Sequence, residues 1–178
     1  MRGDLVMWWV ILIVVLGVTY LGVIKFKKLK NEDLKKRENL REAVWLNNMD
    51  VNKTFVLAEN STLMNDYTNK KILLIKYGET RSINHDEIYG VYLLNHSDMI
   101  KECSISLNEK DAKLEMLDRP LNKDMNDIEI RLALKTDAWY FYEDIDIPVS
   151  YRDRAIEVYG LIESIVVANN RLRLQKSN

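Results

Sequence analysis

Leu5 to Ile24 is an unbroken run of twenty residues with no charged side chain and no proline, followed at once by Lys25-Phe26-Lys27-Lys28-Leu29-Lys30. At about 1.5 Å per residue such a run covers roughly 30 Å, the hydrocarbon thickness of a bilayer, so it predicts one membrane-spanning helix over residues 5–24. The run is apolar on every face, and a chain of 178 residues is too short to wrap it completely. A cleaved leader fits less well, because lysines rather than a small-x-small site follow Ile24.

Residues 25–37 hold seven basic side chains, Lys25, Lys27, Lys28, Lys30, Lys35, Lys36 and Arg37, against Glu32 and Asp33. The positive-inside rule then sets the N-terminus outside and everything after Lys25 on the cytoplasmic face of a cell inner membrane. Three Asn-x-Ser/Thr triplets, starting at Asn52, Asn60 and Asn95, read as incidental on that topology. The same seven residues form a membrane-proximal basic neck suited to anionic lipid headgroups. Residues 38–178 carry 18 basic and 24 acidic side chains, which keeps that body off lipid and off nucleic acid. The single cysteine, Cys103, excludes an internal disulfide framework. The organisation expected is a transmembrane helix over 1–24, a helical stalk over 25–50, a β domain with a C-terminal helix over 51–168 and a polar tail over 169–178.

The pattern changes at Val51. Short apolar or alternating runs recur at Thr54–Ala58, Ser61–Met64, Lys71–Tyr77, Glu87–Leu94, Cys103–Leu107, Asp127–Lys135 and Trp139–Tyr142, separated by turn-forming Asn, Asp and Thr clusters. These predict about seven antiparallel strands. Residues 108–126, polar and containing Pro120, read as a surface excursion with room for a short strand at Ala112–Met116. A capping box at Ser150 and Asp153 opens a helix whose stripe is Ala155, Val158, Tyr159, Ile162, Ile165 and Val166, and Asn169-Asn170 closes it.

Asn65-Asp66-Tyr67-Thr68-Asn69-Lys70-Lys71-Ile72-Leu73-Leu74-Ile75, His85-Asp86-Glu87-Ile88-Tyr89-Gly90-Val91-Tyr92, Ile128–Leu134 and the helix from Tyr151 to Val167 together resemble bacterial pleckstrin-homology-like domains of small membrane-anchored or cytosolic proteins. The resemblance implies an α+β, mainly β fold: a bent antiparallel sheet or partly open barrel capped by the C-terminal helix. It implies an interaction scaffold rather than a catalyst. The Glu59-Asn60-Ser61 loop has no Lys or Arg, so no headgroup-binding residue carries over.

Chemistry is sparse in the pattern. His85-Asp86-Glu87 is an H-x-E triplet without the cysteine pair of a zinc deaminase, and a three-ligand zinc site needs both histidines, His85 and His96, plus a carboxylate. Cys103 sits in an alternating run that reads as core, and Asp144 and Asp146 share one face of an extended segment. No glycine-rich phosphate loop, catalytic set, metal site or cofactor is indicated. The expectation is a single-pass, membrane-anchored, non-catalytic module that binds a protein partner. A membrane-proximal enzyme and a self-assembling envelope protein stand as alternatives, the latter without a close-packing glycine pair because Gly17 and Gly22 are five apart.

Overall fold

Ile128, Ile130, Leu132 and Leu134 are buried while Glu129, Arg131 and Lys135 between them reach the other face, the two-residue period of a sheet with one side on a core. The computed structural model describes residues 2–106, 113–120, 127–136 and 139–177, and for 2–18, 127, 149, 176 and 177 the backbone alone. The chain divides into two units, Met1–Leu46 and Asn47–Asn178.

The first unit is one continuous helix, α1 (Arg2–Leu46). Here the membrane-spanning expectation is corrected: among the described residues no helix is long and apolar enough to cross a membrane. Of the apolar run before Lys25, Thr19–Ile24 have described side chains. The side chains of residues 5–18, the rest of the apolar run, lie outside the described residues. The single-pass inner-membrane placement with its outward N-terminus rested on that span and falls with it.

The second unit holds two antiparallel sheets and a helix. β1 (Lys53–Ala58), β2 (Ser61–Asp66), β3 (Lys71–Lys76) and β4 (Glu79–Asn84) form a four-stranded meander. A 3-10 turn, His85–Glu87, carries the chain into a five-stranded sheet of β5 (Ile88–Asn95), β6 (Asp98–Ile105), β7 (Leu114–Asp118), β8 (Asp127–Lys135) and β9 (Tyr140–Pro148), in the order β7-β6-β5-β8-β9. After a second 3-10 turn, Val149–Tyr151, comes α2 (Arg152–Ser177). The fold is therefore α+β, mainly β, with two sheets and nine strands among the described residues in place of one bent sheet of about seven. β4 escapes the apolar pattern because only Ile83 on it is buried. β7 lies inside the segment read as an excursion, of which residues 108–112 and 121–126 are outside the described residues.

All six stripe residues of α2 are buried, and the helix packs chiefly on β5, with β6, β1 and β8 around it. Phe55 and Leu63 of the first sheet, Leu93 and Ile130 of the second and Ile162 of α2 belong to one apolar core. Two expectations at the helix ends are corrected. Ser150 falls inside the 3-10 turn rather than at the helix boundary, and Asn169-Asn170 does not stop the helix, which runs on to Ser177 through the expected polar tail. The buried Asn169 side chain is occupied elsewhere: its Nδ2 donates to the carbonyls of His85 (2.6 Å) and Ile88 (3.0 Å), at the crossing between the sheets. Two buried carbonyls gain a donor, each otherwise costing about 1–3 kcal/mol, which outweighs the fraction of a kcal/mol that Asn costs within a helix.

Gly90 lies at the middle of the second sheet, opposite Ser104 on β6 and Ala133 on β8. A Cβ at Gly90 would stand 2.9 Å from Ser104 Cβ and 3.3 Å from Ala133 Cβ, so three small residues in register let the strands approach here. Gly90→Val should lower stability by about 1–3 kcal/mol through overpacking, read as a fall in the urea midpoint. An unchanged midpoint would show that the close approach does not constrain the sheet.

Candidate functional site

Three hairpin ends meet at one end of the second unit. The β1–β2 turn brings Glu59 and Asn60, the β3–β4 turn brings Tyr77, and the β5–β6 turn brings His96 and Ser97. With the start of β8 and the end of β9 they enclose an open cleft of roughly 830 Å³.

Two of the turns are two-residue hairpins with both central residues at positive φ: Tyr77 (52°) with Gly78 (86°), and His96 (47°) with Ser97 (69°). Asn-Gly is the usual solution for such a turn because it carries the least steric penalty. Tyr77, His96 and Ser97 instead place side chains at the rim of the cleft. Tyr77 is 72% exposed there.

The floor of the cleft is electrostatically unbalanced. Glu129 on β8 and Asp146 on β9 are direct cross-strand partners, and like charges directly opposite one another destabilise a sheet. The next pair along is Arg131 with Asp144, bonded bidentately through Nε–Oδ1 (2.6 Å) and Nη2–Oδ2 (3.0 Å). Arg131 Nη2 also lies 3.0 Å from Glu129 Oε1, but that oxygen receives no aligned hydrogen bond. One guanidinium is thus shared between two carboxylates, with Asp146 opposite Glu129. Lys76 lines the cleft too, yet its Nζ donates to the carbonyl of Asp144 at 2.7 Å. Burial pushes the Glu129 carboxyl above its ordinary range, and the Asp144 charge pushes it further.

A second polar cluster is structural. Asp66, fully buried, accepts from the backbone of Asn69 (2.8 Å), from Asn69 Nδ2 (2.8 Å) and from the backbone of Asp50 (2.7 Å). Burial alone would raise its pKa, but these bonds hold it below the usual range. His85, also buried, has its pKa lowered by burial, with a bond to the Lys71 carbonyl opposing the shift. The ring is therefore neutral at pH 7 with its proton on the nitrogen that faces Lys71. His85 Nε2 lies 3.0 Å from the Asn65 amide, whose Nδ2 otherwise has no partner, so turning that amide over gives the neutral ring its donor.

The residues singled out from sequence scatter. His85 and His96 stand at opposite ends of β5, about 26 Å of strand apart. Among the described residues no group of three or more His, Cys, Asp or Glu can hold a metal ion. Cys103 is buried on β6 and its thiol is pushed up to about 11 by burial, with Glu163 and Glu102 adding to it, so it is not an attacking thiolate at neutral pH. Glu87 of the H-x-E triplet accepts from the Asn84 backbone at 3.1 Å. Lys25, Lys27, Lys28, Lys30, Lys35, Lys36 and Arg37 are all exposed on α1. Sequence reading passed over Glu129, Lys76 and Tyr77. Of these only Tyr77-Gly78 carried a local signal, a turn dipeptide.

Comparison with protein-family models, with curated proteins and with solved structures gave no match.

Two pH responses follow. A His held neutral in the fold binds fewer protons than in the unfolded chain, so stability should fall as pH drops below about 6.5 and level off under the native value. His85→Gln should flatten that segment of a urea-midpoint profile. A slope that survives the substitution would assign it to another group. Glu129 has the opposite sign: its carboxylate opposes folding at neutral pH, so Glu129→Gln should raise the midpoint at pH 7, with the gain vanishing as pH falls toward about 4. A clear loss at pH 7 would mean that Arg131 balances Glu129 after all.

Proposed function

We propose that the chain is a non-catalytic interaction module, its second unit laid out in the pleckstrin-homology-like manner, that docks a protein partner in the cleft between the hairpin ends. Two antiparallel sheets closed by a C-terminal helix support that layout, although the five-stranded sheet, with β8 and β9 added beside β5, is more elaborate than the compact pattern. The carrying observation is the opposed pair Glu129 and Asp146, a destabilising arrangement on the floor of a cleft whose rim is built from hairpin tips with side chains at positive φ. Local cost concentrated on a concave surface is characteristic of a binding site. The cleft favours positive charge in the occupant, because Glu59, Glu129 and Asp146 line it against Lys76, while Arg131 is shared between Asp144 and Glu129. The protonated thiol of Cys103 and the buried neutral ring of His85 favour binding over catalysis.

A photo-crosslinking residue in place of Tyr77, in cells producing the full chain, tests the reading. Adducts of defined mass are expected from Tyr77 and not from exposed Glu157 on α2. Glu129→Gln with Asp146→Asn should cut their yield about tenfold or more, the worth of a lost charge-assisted contact. Equal labelling from both positions, or substrate turnover by the purified chain, would refute it.

A further inference from the structure

The charges of the chain are segregated between its two units. Residues 1–46 hold nine basic and five acidic side chains, whereas residues 47–178 hold 17 basic and 22 acidic. On α1 the basic residues are also sorted by face. At 100° per residue Lys27, Lys30, Arg37 and Arg41 fall within an arc of about 80°, with Leu34 also inside it and no acidic residue there. All four are exposed, and Leu34 is 49% exposed, so the stripe is a cationic ridge with an apolar centre. From Lys27 to Arg41 the ridge rises about 21 Å. Arg37 sits 3.2 Å from Asp33 in an ion pair that is largely open to solvent, the kind worth least and exchanged most easily.

The ridge and the cleft are complementary. Glu129 on the floor shares Arg131 with Asp144 and stands directly opposite Asp146, which leaves an excess of negative charge there, and the exposed Tyr77 ring on the rim offers a face for a guanidinium. Resting on the docking reading above, we propose that the occupant of the cleft is the Lys27–Arg41 ridge of a second copy of this chain. Each copy then presents one cleft and one ridge, so the contact is heterologous: the donor surface differs from the acceptor surface, and copies join head to tail.

Sedimentation velocity on the full chain tests this. Association should grow with concentration at about 0.05 M salt and be lost at about 0.5 M, where surface charges are screened. Association through the apolar run of α1 would instead persist or strengthen with salt, and that outcome overturns the proposal. Two charge-reversed chains give the decisive comparison. One carries Glu129→Lys and Asp146→Lys, and the other carries Lys27→Glu, Lys30→Glu, Arg37→Glu and Arg41→Glu. The second should be monomeric alone, because its cleft and its ridge are both acidic, and mixing it with the first should give mixed complexes. If the reversed clefts unfold the chain, a peptide of residues 25–42 added to the unaltered protein should disperse its complexes, and a scrambled peptide should not. Copies that stay monomeric at every concentration, or complexes indifferent to both the peptide and the reversals, overturn the proposal. Should Tyr77 adducts then contain only other proteins, the docking reading stands without it; should Tyr77 give no adducts at all, both fall.

Discussion

The amide of Asn169 holds the place where the chain passes from one sheet to the other. His85 and Ile88 turn their carbonyls inward at that crossing, beneath α2, where water does not reach. A backbone acceptor in such a position must find a donor or the crossing opens. Asn169 supplies both bonds from the helix, and so fixes α2 along its axis relative to the start of β5. The stripe from Ala155 to Val166 then covers the core.

Much of the second unit is legible in the sequence for local reasons. Asp127–Lys135 alternates cleanly and forms β8, and the apolar residues from Ala155 to Val166 recur at helical spacing and form the buried stripe of α2. The differences between pattern and fold are non-local. β4 has a single buried apolar residue and is held by pairing with β3, a property of its neighbour rather than of its own composition. The end of α2 escapes the pattern because the partners that satisfy Asn169 lie more than eighty residues earlier in the chain. The apolar run before Lys25 misleads in a different way: its length matches a bilayer, but among the described residues no helix is long and apolar enough to cross one.

The candidate site is almost invisible in the sequence for the same reason. Glu129 looks like any outward residue of a two-faced strand, and Asp146 like the tail of an acidic run. Only the β8–β9 register sets the two side by side, and only the convergence of three turns makes the place concave. Burial then turns an ordinary carboxylate into one that resists ionisation. Nothing short of the fold brings those features together.

The strand order of the second sheet also bears on how the chain is made. The first meander can zip up as it leaves the ribosome, since each strand meets its neighbour across a short turn. β5 can pair at once with β6, but its other edge waits for β8, with residues 96–126 still to be synthesised. For that interval a strand with two Leu and two Tyr shows bare amides and carbonyls to the cell, a template for mispairing until β8 arrives. Slow translation between Asn95 and Asp127 would lengthen that exposure, so the vulnerable moment of this protein belongs to its birth rather than to its mature form.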